Sequence, residues 1–257
     1  MPVREEDLSD TLVVAGDDGP CTIVFNEVVT LNGSTAGELP RLPITVGPNS
    51  GWVTATYDPG KVAVWFATGQ FRRTIGKGPG GGPGEFGRVS DIVVDTARGR
   101  IYIFTSSNRI EVYGEAGEYL ETISLPRYSS TGALLHDGTV VAVLSRAPAE
   151  PIFAVVKSDT IIRSGPRQRG PVFPPLLYGT GDGMWTAEGP WYEIRRHDIR
   201  DGRIDFQITR ATSLFPSASD EEIERRGGPF LIAFAVNTRE GRVFALLKQV
   251  LKPGHSP

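Results

Sequence analysis

The chain offers few nucleophiles and few soft metal ligands: one cysteine, Cys21, and three histidines, His136, His197 and His255, among 257 residues. A lone cysteine excludes an intramolecular disulfide and reads as a small buried residue, and so few Cys and His leave a zinc site almost without ligands. Each histidine stands alone, His136 in a turn, His197 at a strand end and His255 in the tail, so all three read as turn or surface residues. Neither a G-x-S-x-G elbow nor an H-E-x-x-H pair occurs. The glycine-rich run 76–84 lacks the G-K-[ST] ending of a phosphate loop and opens no helix, so it reads as a connection with unusual backbone angles. Carboxylates are plentiful, but Asp95, Asp137, Asp182, Asp198 and Asp201 all flank tight turns, where an Asp side chain bonds nearby amides. They read as turn residues before they read as catalysts or calcium ligands.

The elements that hold these residues are strands. Glycine (31) and proline (20) make up about a fifth of the chain, a turn-rich composition, and hydrophobic residues (39%) balance charged ones (22%) as in a soluble globule. The runs 51–56, 61–66 and 71–75 are followed 48 residues later by the runs 99–104, 109–114 and 119–123, with Gly69 and Gly117 in matching turns. A further run precedes each copy, at 42–46 and 89–95, which makes a unit of four strands. The pattern continues at 132–135, 139–144, 152–156 and 160–163, recurs at 176–179, 184–187, 192–198 and 203–209, and starts again at 230–236 and 242–247.

Four-stranded antiparallel units spaced by about 40 to 48 residues are the signature of a β-propeller. A blade strand is covered on both faces, so it should be apolar at consecutive positions, as 62–66, 101–104 and 140–144 are. A two-sheet sandwich would have no reason to repeat its turns in register. The expected fold is therefore all-β, a single propeller domain over 1–257 with blades near 40–76, 88–125, 131–164 and 176–210, and a last unit at 230–247 completed by N-terminal residues 11–31. In that arrangement 11–15 or 22–29 pairs with 230–247 and closes a five-bladed ring; the alternative is a fragment of a six-bladed protein. Only 217–228 breaks the pattern, where Ser219 and Glu222 form a capping box ahead of Arg225 and Arg226, and a short surface helix is expected.

The stretch Gly76-Lys77-Gly78-Pro79-Gly80-Gly81-Gly82-Pro83-Gly84-Glu85-Phe86, followed by Asp91-Ile92-Val93-Val94-Asp95, Arg100-Ile101-Tyr102-Ile103 and Asn108-Arg109-Ile110-Glu111-Val112-Tyr113, resembles an NHL repeat. It is similar to the six-bladed NHL-type propellers of bacterial exported proteins, over 62–125 most closely. The resemblance implies a scaffold that binds a ligand or a protein and an extracytoplasmic location. Residues 1–10, four acids and one arginine with no apolar segment behind them, do not read as a secretory signal, and the longest apolar stretch, 230–236, is too short to span a bilayer. A net charge of -3 gives no basic field for nucleic acid or an anionic membrane.

In a propeller the connections from strand four to the next blade, and from strand two to strand three, emerge on one side. Binding residues concentrate on such loops. Here that side carries Tyr57, Asp58, Lys77, Glu85, Arg88, Ser106, Asn108, Arg127, Tyr128, Arg146, Arg167, Arg169, Trp191, Arg225 and Arg226. Arginine and aromatics, the types that dominate binding hot spots, prevail, and arginine suits carboxylate or phosphate recognition. The expected ligand-binding residues are Arg127, Tyr128, Arg167, Arg169 and Trp191, contacting a protein segment or a small anionic ligand. The expected protein is a non-enzymatic, monomeric scaffold with no catalytic residues, metal or cofactor. The alternative is a metal-dependent propeller hydrolase or lyase of the lactonase kind, which would need acidic or amide ligands on inner strands. The inner runs 42–46 and 230–236 offer no acid.

Overall fold

The computed structural model describes residues 4–8, 11–15, 29–31, 40–135, 137–144, 152–156, 161–163, 176–180, 183–188, 193–198, 200–201, 203–209, 229–237 and 242–249. Cys21, His136, His255, Asp182 and the expected helix at 217–228 lie outside them. The described residues form strands, with a single 3-10 turn at Pro48–Ser50. An N-terminal hairpin, β1 (Arg4–Leu8) and β2 (Thr11–Ala15), precedes a first antiparallel sheet of β3 (Pro40–Val46), β4 (Trp52–Thr56), β5 (Val62–Trp65) and β6 (Phe71–Ile75). The second sheet holds β7 (Val89–Asp95), β8 (Arg100–Thr105), β9 (Arg109–Gly114) and β10 (Tyr119–Ser124). The third holds β11 (Ser129–Leu134), β12 (Val140–Leu144), β13 (Ile152–Val155) and β14 (Ile161–Arg163). The fourth is built on β15 (Leu176–Thr180), β16 (Gly183–Glu188), β17 (Glu193–Asp198) and β18 (Ile204–Thr209), and β19 (Pro229–Asn237) pairs with β20 (Arg242–Gln249). The first strand of each unit packs on the first strand of the next, in the order β3, β7, β11, β15, β19. This is an all-β propeller architecture of four-stranded antiparallel blades.

The N-terminal strand differs from expectation. Thr11–Ala15 does not join β19 or β20; it adds in parallel to β18, with Gln207 opposite Thr11, and extends the fourth sheet to six strands. Any open sheet edge presents unpaired N–H and C=O groups to whichever strand can reach it. Without β2, β18 would present such an edge, and among the described residues β19 and β20 pair only with each other, so the choice between them is invisible in the sequence. The other expected partner, 22–29, lies outside the described residues except for Val29, which is not in a strand.

Alternate residues of the middle strands β8 and β12 pack against opposite neighbours, which explains the consecutive apolar positions. Ile101 and Ile103 of β8 join Val53, Val62, Val64 and Ile75 between the first and second blades. Tyr102 and Phe104 of the same strand join Val140, Ala142 and Leu144 between the second and third. In β12, Val141 and Val143 turn the other way, toward Met184 of the fourth. Polar ties reinforce the seam between blades two and three. The Asp91 carboxylate accepts from Thr131 Oγ1 (2.7 Å) and from the Gly132 amide (2.8 Å), and Ser90 Oγ donates to the Ser129 carbonyl (3.1 Å). At the far end of the same strand Arg98 bridges Asp95 Oδ2 (2.9 Å) and the Asp137 carbonyl (2.7 Å).

Gly132 shows how close the blades approach. A Cβ there would lie 2.1 Å from Cζ of the fully buried Phe104. Gly132→Ala should therefore destabilise the protein by about 1–3 kcal/mol, the range for overpacking a filled core. Gly81→Ala, whose Cβ would meet nothing within 4 Å, should be close to neutral. Urea denaturation of the two variants checks the contrast.

Burial pushes the Asp91 carboxyl above the ordinary carboxylate range, against the hydrogen bonds from Thr131, Gly132 and Ile92 that favour its anion. The folded chain thus holds this proton to higher pH than the unfolded chain does. Its contribution to stability is full below the unfolded value of about 3.9 and is lost as pH rises through the folded one. Unfolding free energies measured across that window should fall with rising pH in the native protein, and Asp91→Asn should remove that part of the slope.

Candidate ligand cleft on the loop face

The blade connections on the loop side are built rigidly. Thr105 ends β8, and its hydroxyl donates to the Arg109 carbonyl (2.9 Å) and contacts Ser107 Oγ (2.9 Å), closing the turn that carries Ser106 and Asn108. Asn108 takes a left-handed conformation (φ 57°), which Asn tolerates better than most residues, and its carbonyl accepts from Leu125 N (2.8 Å). The Ser106 amide bonds the Arg88 carbonyl (3.0 Å), so this turn and the entry to β7 form one unit. Thr56 plays the matching part in the first blade: its hydroxyl reaches the Asp58 and Lys61 carbonyls (3.0 and 3.3 Å) and fixes the turn bearing Tyr57.

The turn at 106–108 and the entries to β3 and β7 border a cleft of about 740 Å³ between the first strands of blades one and two. Arg41, at the start of β3, and Arg88, just ahead of β7, both line it, and none of its lining residues is acidic. Arg41 is half-buried with its Cζ 5.7 Å from the centre of the Tyr57 ring, a cation–π contact that orients it without neutralising it. Ser90, Ser106, Asn108 and Tyr128 add hydroxyl and amide groups, and Leu42, Pro43 and Val89 supply an apolar side. The volume lies in the range of small-molecule pockets, about 300–1,000 Å³. The arrangement can accept an anion on two delocalised cations and hydrogen-bond its flanks.

Of the residues expected to bind, Tyr128 lines the cleft, and Arg127 beside it is exposed and outside the lining. Arg167, Arg169 and Trp191 lie outside the described residues. Arg88, Ser106 and Asn108, placed on the loop side from the turn pattern, are brought together here. Arg41 was missed because the sequence pattern starts the first inner strand at 42, whereas β3 begins at Pro40. An arginine just ahead of an apolar run, as Arg88 is, was the available signal.

The glycine-rich connection is consumed by its own structure. Arg109 donates to the carbonyls of Gly81 (2.9 Å), Gly80 (3.3 Å) and Glu85 (3.2 Å), and the Gly82 amide donates to Glu85 Oε2 (3.0 Å). The amides of Lys77, Gly78, Glu85 and Phe86 are each bonded to carbonyls of the same loop or of Gly60. A phosphate cradle needs such amides free. Gly76 (φ 99°) lets the chain turn where a side chain would strike the Gly60 carbonyl and the Phe86 ring, and Phe86 is fully buried between blades. The turn aspartates behave likewise: Asp95, Asp137, Asp198 and Asp201 each accept an amide two or three residues on.

His197 corrects an expectation. It is 1% exposed, within β17, with Nε2 2.9 Å from Thr186 Oγ1, and is neither a turn nor a surface residue. A third strand faces neighbouring blades, and a threonine on the second strand supplies the polar partner. Trp65 and Thr54 repeat the arrangement in the first blade, Nε1 donating to Oγ1 at 3.0 Å. Among the described residues no three His, Cys, Asp or Glu side chains cluster to hold a metal, and no helix is long and apolar enough to cross a membrane.

With this architecture, the chain is similar to known propellers. The sequence profile of the DUF5128 family, a six-bladed β-propeller, matches residues 50–140. Among solved structures, a protein of Bacteroides fragilis described as a candidate exported protein superposes with a TM-score of 0.50 at 15% identity, over 79% of this chain and 71% of its own. The β-propeller domain of Cps50 (Swd1) from Myceliophteria thermophila gives a TM-score of 0.51 at 11% identity, over 82% of this chain and 65% of its own. At such identities the likeness concerns fold alone. No curated protein sequence matches the chain.

Tyr113 tests whether the glycine-rich loop is structural. Burial, then the nearby Glu111, holds its phenol well above the ordinary range, so it stays protonated and donates to the Gly84 carbonyl (2.9 Å). Tyr113→Phe should cost about 1 kcal/mol, the net worth of one hydrogen bond left unmade. It should also speed tryptic cleavage at Lys77, as followed by mass spectrometry.

Proposed function

We propose that the protein is a non-enzymatic binding scaffold whose loop face takes an anionic group in the cleft between the first two blades. One observation carries this reading: Arg41 and Arg88 both line, with no acidic residue beside them, a cleft held by rigid inter-blade turns. A guanidinium forms bidentate, charge-assisted hydrogen bonds with carboxylates and phosphates, and a low local density of competing acids leaves it available for them. Tyr128 belongs to the same wall, and Arg127, Arg167, Arg169 and Trp191 are proposed to extend the contact surface on the connections between later blades. In this reading the repeat is of NHL type, which is supported by the glycine-rich connection closing on Phe86, and the ligand is a small anion or an acidic group presented by a protein segment.

Isothermal titration with acetate, succinate and inorganic phosphate tests it. At least one should bind saturably and more weakly as ionic strength rises, because the cleft is partly open to solvent. The double variant Arg41→Gln/Arg88→Gln should lose about tenfold or more in affinity, since charge-assisted bonds are worth about 1.5–3 kcal/mol each. Stability should change by about 0.5 kcal/mol or less for the exposed Arg88, and by about 0.5–1 kcal/mol for the half-buried Arg41, whose contact with the Tyr57 ring is lost. Absence of saturable binding, or binding indifferent to both arginines, overturns the reading.

A further inference from the structure

We infer that the anion carries an apolar chain and that the ligand class is a straight-chain fatty acid, an inference that rests on the anion-binding reading above. The observation lies along β3, beyond Arg41. Exposure alternates over residues 42–46, and the outward residues are all large and apolar: Leu42 is 74% exposed, Ile44 44% and Val46 55%. Leu42 itself lines the cleft, so the stripe begins where Arg41 and Arg88 stand and runs away from them along one strand. Arg41 pairs with Ala55 and Val46 with Trp52, so across the register shift between Arg41 and Ile44 this stretch advances about 10 Å, the length of a medium acyl chain. Such a stripe on a first strand contrasts with β8 and β12, whose apolar residues are buried between blades.

Charge complementarity chooses the occupant. Two cations at one end of the stripe, with no acid lining that end, ask for a single anionic head. Three successive aliphatic side chains beyond it offer no hydrogen-bond partner to a polar tail. A dicarboxylate or a phosphate sugar would satisfy the arginines but leave polar atoms against Leu42, Ile44 and Val46, whereas an aliphatic monocarboxylate matches both ends. Val89 and Pro43 continue the apolar wall inside the cleft, next to where the first methylenes would lie.

Titration of the full chain with butyrate, hexanoate, octanoate and decanoate, below their micellar concentrations, distinguishes this inference from the reading beneath it. Each added methylene should raise affinity by about two- to fourfold, as expected for methylene burial, until the chain outruns Val46. The double variant Ile44→Ser/Val46→Thr, at two residues outside the cleft lining, should bind butyrate as the native protein does while losing the gain for the longer members. These side chains are exposed, and an unchanged melting temperature verifies the variant's fold. Arg41→Gln/Arg88→Gln should weaken every member alike. If butyrate and decanoate bind equally, or the double variant keeps the chain-length gain, the fatty-acid inference is overturned while anion binding stands. If none binds, both fail.

Discussion

Each middle strand of a blade must bury both of its faces at once, and most of what is distinctive in this molecule follows from that demand. β8 sends Ile101 and Ile103 to one neighbour and Tyr102 and Phe104 to the other, so neither face can be polar and neither neighbour can be removed without exposing a core. Hydrophobic burial of this kind is non-directional, and it would tolerate blades sliding over one another. The polar ties remove that freedom. Asp91 reaching Thr131 and Gly132, and Arg98 reaching Asp137, fix the second and third blades at both ends of a first strand. Arg73 does the same from the first blade, donating to the Glu115 and Ala116 carbonyls in a turn of the second.

The rigidity of the candidate site is borrowed from this seam. The turn carrying Ser106 and Asn108 is tied to the backbone of Arg88, and the glycine-rich connection below it is tied by Arg109 and Tyr113 to the second blade. Residues that would look mobile from composition, with four glycines between 80 and 84 among them, are therefore held by a cation and a phenol. A cleft framed by such turns loses little conformational entropy when a ligand enters, which is what a scaffold of packed sheets contributes to binding.

Two buried rings in different blades are satisfied in the same way. Trp65 and His197 stand on third strands and each finds a threonine on the second strand of its own sheet. A buried ring nitrogen without such a partner would cost as much as a lost hydrogen bond. One ring nitrogen of the histidine thus finds its partner within its own blade, although nothing in its neighbours along the chain distinguishes it from a surface residue at a strand end.

The sequence by itself determined the strand-turn repeat and hence the all-β propeller architecture, because turn glycines and doubly buried strands leave a pattern that is local along the chain. Gly69 and Gly117, or the apolar runs of β5, β8 and β12, carry that information within a few residues. It also determined the structural role of the turn aspartates, whose partners lie two or three residues away. Only the tertiary structure decided which loop residues meet. Arg41 and Arg88 are 47 positions apart and share a cleft because β3 packs on β7, a contact set by blade packing and written in no motif. The same holds for β2, which joined β18 because an open edge accepts any strand that reaches it, and for His197, whose burial depends on a neighbouring blade. Periodicity is encoded in local geometry, whereas convergence depends on which faces are buried against each other, and that is a property of the folded chain.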